Sequence, residues 1–170
     1  MSLVRIAAGE RVPERFNVVV ETPMNSRDRY EYDDRMAAFR LVARLVPGDR
    51  YPADYGFIPS TMSEDGFPLD VFILTGGPAF PGCVVECRPV AVLNLSDGSR
   101  PDHKILAVRV DDEEYAQVTD LENIPAGIVD RIGALFRTNP LVSGSRQQIL
   151  GWENAEAAKR VVFLAWEGFL

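Results

Sequence analysis

The sequence predicts a mainly β fold with α-structure at its end: a small closed or nearly closed β-barrel followed by two packing helices. Three observations predict it. The first two-thirds of the chain is a series of short apolar runs separated by turns rich in Gly, Pro and Asp. After residue 120 the apolar spacing lengthens to that of a helix. The 170 residues are 46% hydrophobic and 25% charged, the size and balance of one compact domain over residues 1–170.

The elements follow in chain order. Residues 16–21 (Phe-Asn-Val-Val-Val-Glu) read as a buried strand, and residues 30–33 (Tyr-Glu-Tyr-Asp) alternate. Residues 70–74 and 83–93 are rich in Val, Leu, Ile and Phe and read as core strands, and residues 104–110 close the series. Between them stand turn residues: Glu64-Asp65-Gly66, Gly76-Gly77-Pro78, Pro81-Gly82 and Asp97-Gly98-Ser99. Leu121, Ile124, Ile128, Ile132, Leu135 and Phe136 then share one helical face, with Pro125 acceptable in a first turn. Ala155, Ala158, Val162, Ala165, Trp166 and Phe169 do the same for a second helix, which Asn154 can cap. No linker or internal repeat divides the chain.

Charge narrows the partners. Eighteen Lys and Arg against twenty-five Asp and Glu give a net charge of −7. Residues 61–130 hold thirteen acidic and four basic side chains, so that stretch alone carries −9. Neither nucleic acid nor an anionic membrane is expected to be attracted to such a surface; a cation is the more fitting partner. Cys83 and Cys87 would lie ~13 Å apart along one strand, too far to form a disulfide, and free thiols suit a reducing cytoplasm. Two cysteines and the single His103 are too few for a zinc site. No leader pattern and no apolar run long enough to span a membrane is present.

Motifs exclude several chemistries. The chain has no phosphate-binding P-loop, no dinucleotide glycine fingerprint, no zinc-protease motif and no nucleophile elbow. A repeated spacing of carboxylates remains. Asp65 and Asp70 flank one turn before a strand, and Asp97 and Asp102 flank another. Aspartate is also an ordinary turn residue, so neither pair is decisive alone. Four carboxylates on neighbouring loop ends would repel one another unless hard divalent cations such as Mg²⁺ held them. Lys104, one of only two lysines beside sixteen arginines, departs from the chain's habit. With Arg29, Arg44 and the Tyr55 hydroxyl, it offers donors for a phosphate.

The run Arg-Tyr-Pro-Ala-Asp-Tyr-Gly-Phe-Ile-Pro at 50–59, with Asp-Gly-Phe-Pro-Leu-Asp-Val at 65–71 and Cys-Arg-Pro-Val-Ala-Val-Leu at 87–93, resembles the soluble family I inorganic pyrophosphatases. Asp-Gly-Ser-Arg-Pro-Asp-His-Lys at 97–104 and Gly-Trp-Glu-Asn-Ala-Glu-Ala-Ala-Lys at 151–159 extend the likeness over nearly the whole chain. The resemblance implies a five-stranded OB-type barrel with two helices, Mg²⁺ or Mn²⁺ as cofactor, pyrophosphate or another phosphoanhydride as substrate, and a homohexamer. It implies metal-binding acids at Asp65, Asp70, Asp97 and Asp102. It places substrate-binding groups at Arg29, Arg44, Tyr55 and Lys104, with Glu21 and Glu31 as further acids of the site.

Two departures from the family pattern stand out. The family motif is Asp-Gly-Asp-Pro-Xaa-Asp, and its second Asp, which orients and deprotonates the attacking water, is here Phe67. A Tyr-Lys pair that contacts the leaving phosphate is here Asn139-Pro140. Phe67 is read as core filling, as the mark of a degenerate site, or as a ring that stacks on an organic group. The expected function is Mg²⁺-dependent hydrolysis of pyrophosphate at reduced rate. The alternative is a degenerate paralogue that binds a phosphorylated ligand or acts as an oligomeric interaction module.

Overall fold

The computed structural model describes residues 1–139 and 147–170. Among these residues, eight strands and two α-helices occur in the order β1 (Phe16–Thr22), β2 (Asp28–Asp33), β3 (Ala38–Arg44), β4 (Asp54–Ile58), β5 (Leu69–Leu74), β6 (Val84–Ser96), β7 (Pro101–Arg109), α1 (Ala126–Thr138), β8 (Gln148–Asn154) and α2 (Ala155–Phe169). The main sheet runs β1-β4-β5-β7-β6-β8, and β1 also pairs with β6. That extra pairing closes five strands into a ring, and β8 adds to it through β6. The barrel expected from the sequence is therefore present.

Strand alternation divides the interior into two apolar clusters. From β5, Phe72 and Leu74 join one cluster while Val71 and Ile73 join the other. Ile132, Leu135 and Phe136 of α1 complete the first, where Phe136 meets Phe72 edge-on with ring centroids 5.9 Å apart. Ala157, Ala158, Val162 and Ala165 of α2 complete the second; their small side chains let the helix lie close to the sheet. The Asn154 side chain accepts the Ala157 N–H at 3.1 Å, the N-cap expected from the sequence. No helix among the described residues is long and apolar enough to cross a membrane.

The structure corrects the first helix. It begins at Ala126, and Leu121–Asn123 form a separate short 3₁₀ turn capped by Asp120. Leu121 and Ile124 keep helical spacing because they pack on the same cluster, not because they share the helix. Three strands also go beyond the sequence reading: β3, β4 and β8. β2 and β3 form a hairpin sheet of their own. Thr22 fastens this hairpin to the ring by accepting the Tyr30 N–H at 3.0 Å and donating to the Tyr30 carbonyl at 2.9 Å.

Ring closure depends on one close backbone approach. Gly56 of β4 lies opposite Val20 of β1, and a Cβ on Gly56 would sit 2.0 Å from the Val19 carbonyl oxygen. Only glycine fits there. Gly56→Ala is expected to destabilise the protein by about 3 kcal/mol in urea denaturation, because β1 must move off β4. A loss below about 1 kcal/mol would show that the two strands can separate without consequence.

Candidate active site

Strand register alone assembles the charged centre. β5 and β7 run parallel with Asp70 beside Lys104. Asp102 lies two residues before Lys104 and so shares its face. The Lys104 ammonium donates to Asp70 and contacts Asp102 at 3.1 Å. Lys104 is only 6% exposed. Burial alone would pull its pKa down, but Asp70, Tyr55 and Asp102 outweigh burial and hold it well above the usual value.

Glu21 reaches the same place by a different device. The β1–β4 register slips between Val20 and Thr22, so Glu21 is the extra residue of a bulge. Bulges re-aim side chains, and this one turns a carboxylate toward the cavity. Glu21 accepts the Tyr32 N–H at 2.7 Å, a second tie between ring and hairpin. Burial raises its pKa to about 8; the Tyr32 N–H lowers it, while Asp70 and Glu31 add to the rise.

These residues line one cavity of about 600 Å³. Of the residues marked in the sequence, Glu21, Arg29, Glu31, Asp65, Asp70, Asp102 and Lys104 border it, as does Phe67. Asp102 is raised by burial and by its neighbours Asp70 and Asp65, against the pull of Lys104. The carboxylates among them are hard-oxygen donors that outnumber the cations, a set that fits a divalent cation such as Mg²⁺. Among the described residues, no three of them are gathered closely enough to hold an ion as they stand.

Four marked positions lie elsewhere. Tyr55 is buried under the site in the apolar cluster, its ring 4.8 Å from Phe72. Arg44 binds Asp28 across the hairpin at 2.6 and 3.3 Å and does not line the cavity. Asp97 accepts the N–H groups of Ser99 and Arg100, both at 2.9 Å, and these hold its pKa at about 2. Asn139 is a latch: it accepts the Val46 N–H at 2.9 Å and donates to Asp49 at 2.7 Å, tying the end of α1 to the loop after β3. Pro140 lies outside the described residues.

The structure adds residues that the sequence did not single out. Tyr51 is fully buried, its hydroxyl has no hydrogen-bond partner among the described residues, and the charges of Arg29, Glu21, Lys104 and Asp70 all act on it. Tyr51 does not border the cavity; its hydroxyl lies in the apolar base beneath the charged groups. Arg35 and Arg40 of the hairpin also line the cavity. Their signal lay in the alternation of 30–33, which needed a partner strand to form a hairpin.

Glu21 makes stability depend on pH. The folded protein keeps its proton to about pH 8, whereas a glutamate carboxyl in the unfolded chain releases it at its ordinary value of 4.5. The stabilisation from this proton is full below pH 4.5 and is lost as pH rises through 8. In metal-free protein, Glu21→Gln keeps an acceptor for Tyr32 and is expected to flatten this slope. Its advantage over the parent in urea denaturation should grow by on the order of 3 kcal/mol between pH 5 and pH 8. Parallel stability curves would show that Glu21 ionises normally.

Comparison with known proteins places this geometry in a family. The family model described as inorganic pyrophosphatase matches residues 18–168. An inorganic pyrophosphatase of Nostoc sp. is 38% identical over 162 residues, 95% of this chain and 95% of the relative. One from Haloferax volcanii is 39% identical over 155 residues, 91% of this chain and 88% of the relative. The crystal structure of inorganic pyrophosphatase from Thermus thermophilus superposes with a TM-score of 0.94 at 34% identity, covering 99% of each chain. The five-stranded ring, its two helices and the match along nearly the whole chain agree: this chain belongs to the inorganic pyrophosphatase family.

Proposed function

We propose that this chain hydrolyses inorganic pyrophosphate to phosphate in a divalent-cation-dependent reaction, more slowly than a member with a carboxylate at position 67. The observation that carries the reading is the buried Lys104 between Asp70 and Asp102, on the border of a cavity that also holds Arg29. Asp65, Asp70 and Asp102 would hold Mg²⁺ or Mn²⁺, with Asp97 from the neighbouring turn. Such a cation neutralises phosphate charge and lowers the pKa of water when bound.

The chain's own groups do the rest. Arg29 and Lys104 bind phosphate oxygens. The resemblance adds Tyr55 and Arg44 as phosphate contacts, but Tyr55 lies under the cavity and Arg44 is held by Asp28 outside it, so the reading rests on Arg29 and Lys104, with Glu21 and Glu31 as outer acids. The phenyl ring of Phe67 accepts no proton. The attacking water must therefore lose its proton without a positioned base, a loss worth ~10² to 10⁴ in rate. Free Cys83 and Cys87 support a cytoplasmic location, and exposed Met62, Phe163 and Leu164 support self-association, as a homohexamer by resemblance.

Phe67 also favours a second reading, a degenerate paralogue that binds a phosphorylated ligand or serves as an interaction module. Phosphate release from pyrophosphate, measured across Mg²⁺ and Mn²⁺ concentrations, separates the two. No release above a chelated control removes the enzyme. Phe67→Asp is expected to raise the rate by ~10² or more; no gain would move the defect to Asn139 and Pro140. Asp70→Asn is expected to abolish Mg²⁺ binding in calorimetry, and undiminished binding would place the cation elsewhere.

A further inference from the structure

The cavity is lined by more than a pyrophosphate needs. Its volume of about 600 Å³ lies within the range of sites for organic ligands. Phe67, Pro68, Tyr32 and Val42 give it an apolar portion, and Arg35 and Arg40 add guanidiniums beyond Arg29 and Lys104. Pyrophosphate is polar throughout and gains nothing from a phenyl ring.

Phe67 is held open to the cavity by its own backbone. Its N–H donates to the Asp65 carboxylate at 2.9 Å, and its carbonyl accepts the Ser63 N–H at 2.8 Å. Gly66 takes the positive φ of 84° that the turn requires. The residue is nonetheless 67% exposed, and its ring makes no close aromatic pair among the described residues. An exposed ring carried by a hydrogen-bonded turn beside Arg29 and Lys104 is suited to a second planar group in offset stacking.

We propose that this cavity, read as a phosphoanhydride site, also takes diphosphate esters of a planar organic group, nucleoside diphosphates by class, with the ring against Phe67. The statement rests on that reading and extends its substrate class. In the reaction, the water oxygen bonds to the terminal phosphorus and the bridging P–O bond breaks. The bridging oxygen leaves with the electron pair on the organic monophosphate. One water proton stays on the inorganic phosphate and the other passes to solvent.

Calorimetric titration of the full chain in Mg²⁺ with adenosine diphosphate and with methyl diphosphate tests this. The two share their phosphates and differ in the ribose and the adenine ring; the Phe67 variants isolate the contribution of the ring. Adenosine diphosphate is expected to bind about 10-fold more tightly and to yield adenosine monophosphate and phosphate. Phe67→Ala should abolish that preference, and Phe67→Trp should keep it. Equal affinities, no binding of either ester, or a preference that survives Phe67→Ala would overturn the proposal. Inorganic pyrophosphate run in parallel distinguishes the failures: if it alone is bound and split, the ring proposal falls and the phosphoanhydride site stands.

Discussion

One buried ammonium between two carboxylates organises this molecule's chemistry. Lys104 sits almost out of water with Asp70 on the adjacent strand and Asp102 two residues earlier on its own. Such a group costs several kcal/mol to desolvate and stays charged only because the surrounding carboxylates outweigh the cost. The parallel β5–β7 register is what supplies them, and a slip of one residue would turn Lys104 to the opposite face. The ring that fixes this register is thereby part of the site.

The remaining acids depend on the same frame. Glu21 enters through a bulge in β1, and the hairpin that carries Arg29 and Glu31 is pinned to the ring by Thr22 and Glu21. Beneath them lie Tyr51, Tyr55 and Phe72 in contact, a rigid aromatic base that excludes water and weakens screening. Low dielectric explains why burial is the largest influence on Glu21, Asp102 and Lys104 together. A charged ligand entering here meets groups that are already desolvated.

Much of this was legible in the residues. Strands rich in buried apolar residues, such as 70–74 and the 89–93 part of 83–93, announce themselves as apolar runs, and the ends of α2 follow from Asn154 and its helical spacing. β3 and β8 were hidden because their side chains are mostly exposed and mixed, so no period-2 signal marks them. β4 was hidden by brevity and by Gly56, a residue unfavourable in strands until the close approach of β1 makes it necessary. For the site, spacing of Asp pairs and one unusual lysine sufficed to mark Asp65, Asp70, Asp102 and Lys104. Tyr51 gave no signal, since an orphan hydroxyl exists only once the core has closed around it.

Position 67 shows why the chemistry can change while the fold does not. The turn at 63–67 is held by the Asp65 carboxylate, the Ser63 N–H and the conformation of Gly66, none of which uses the side chain at 67. That side chain points away from both apolar clusters and lines the cavity. A carboxylate or a phenyl ring is therefore carried equally well by the backbone, with stability indifferent and chemistry not. Lys104 has no such freedom, because its replacement would leave two partly buried carboxylates facing each other without a cation. The cavity thus combines a centre fixed by the barrel's register with a rim residue free to vary, and under the proposed reading it is at that rim that substrate range would be set.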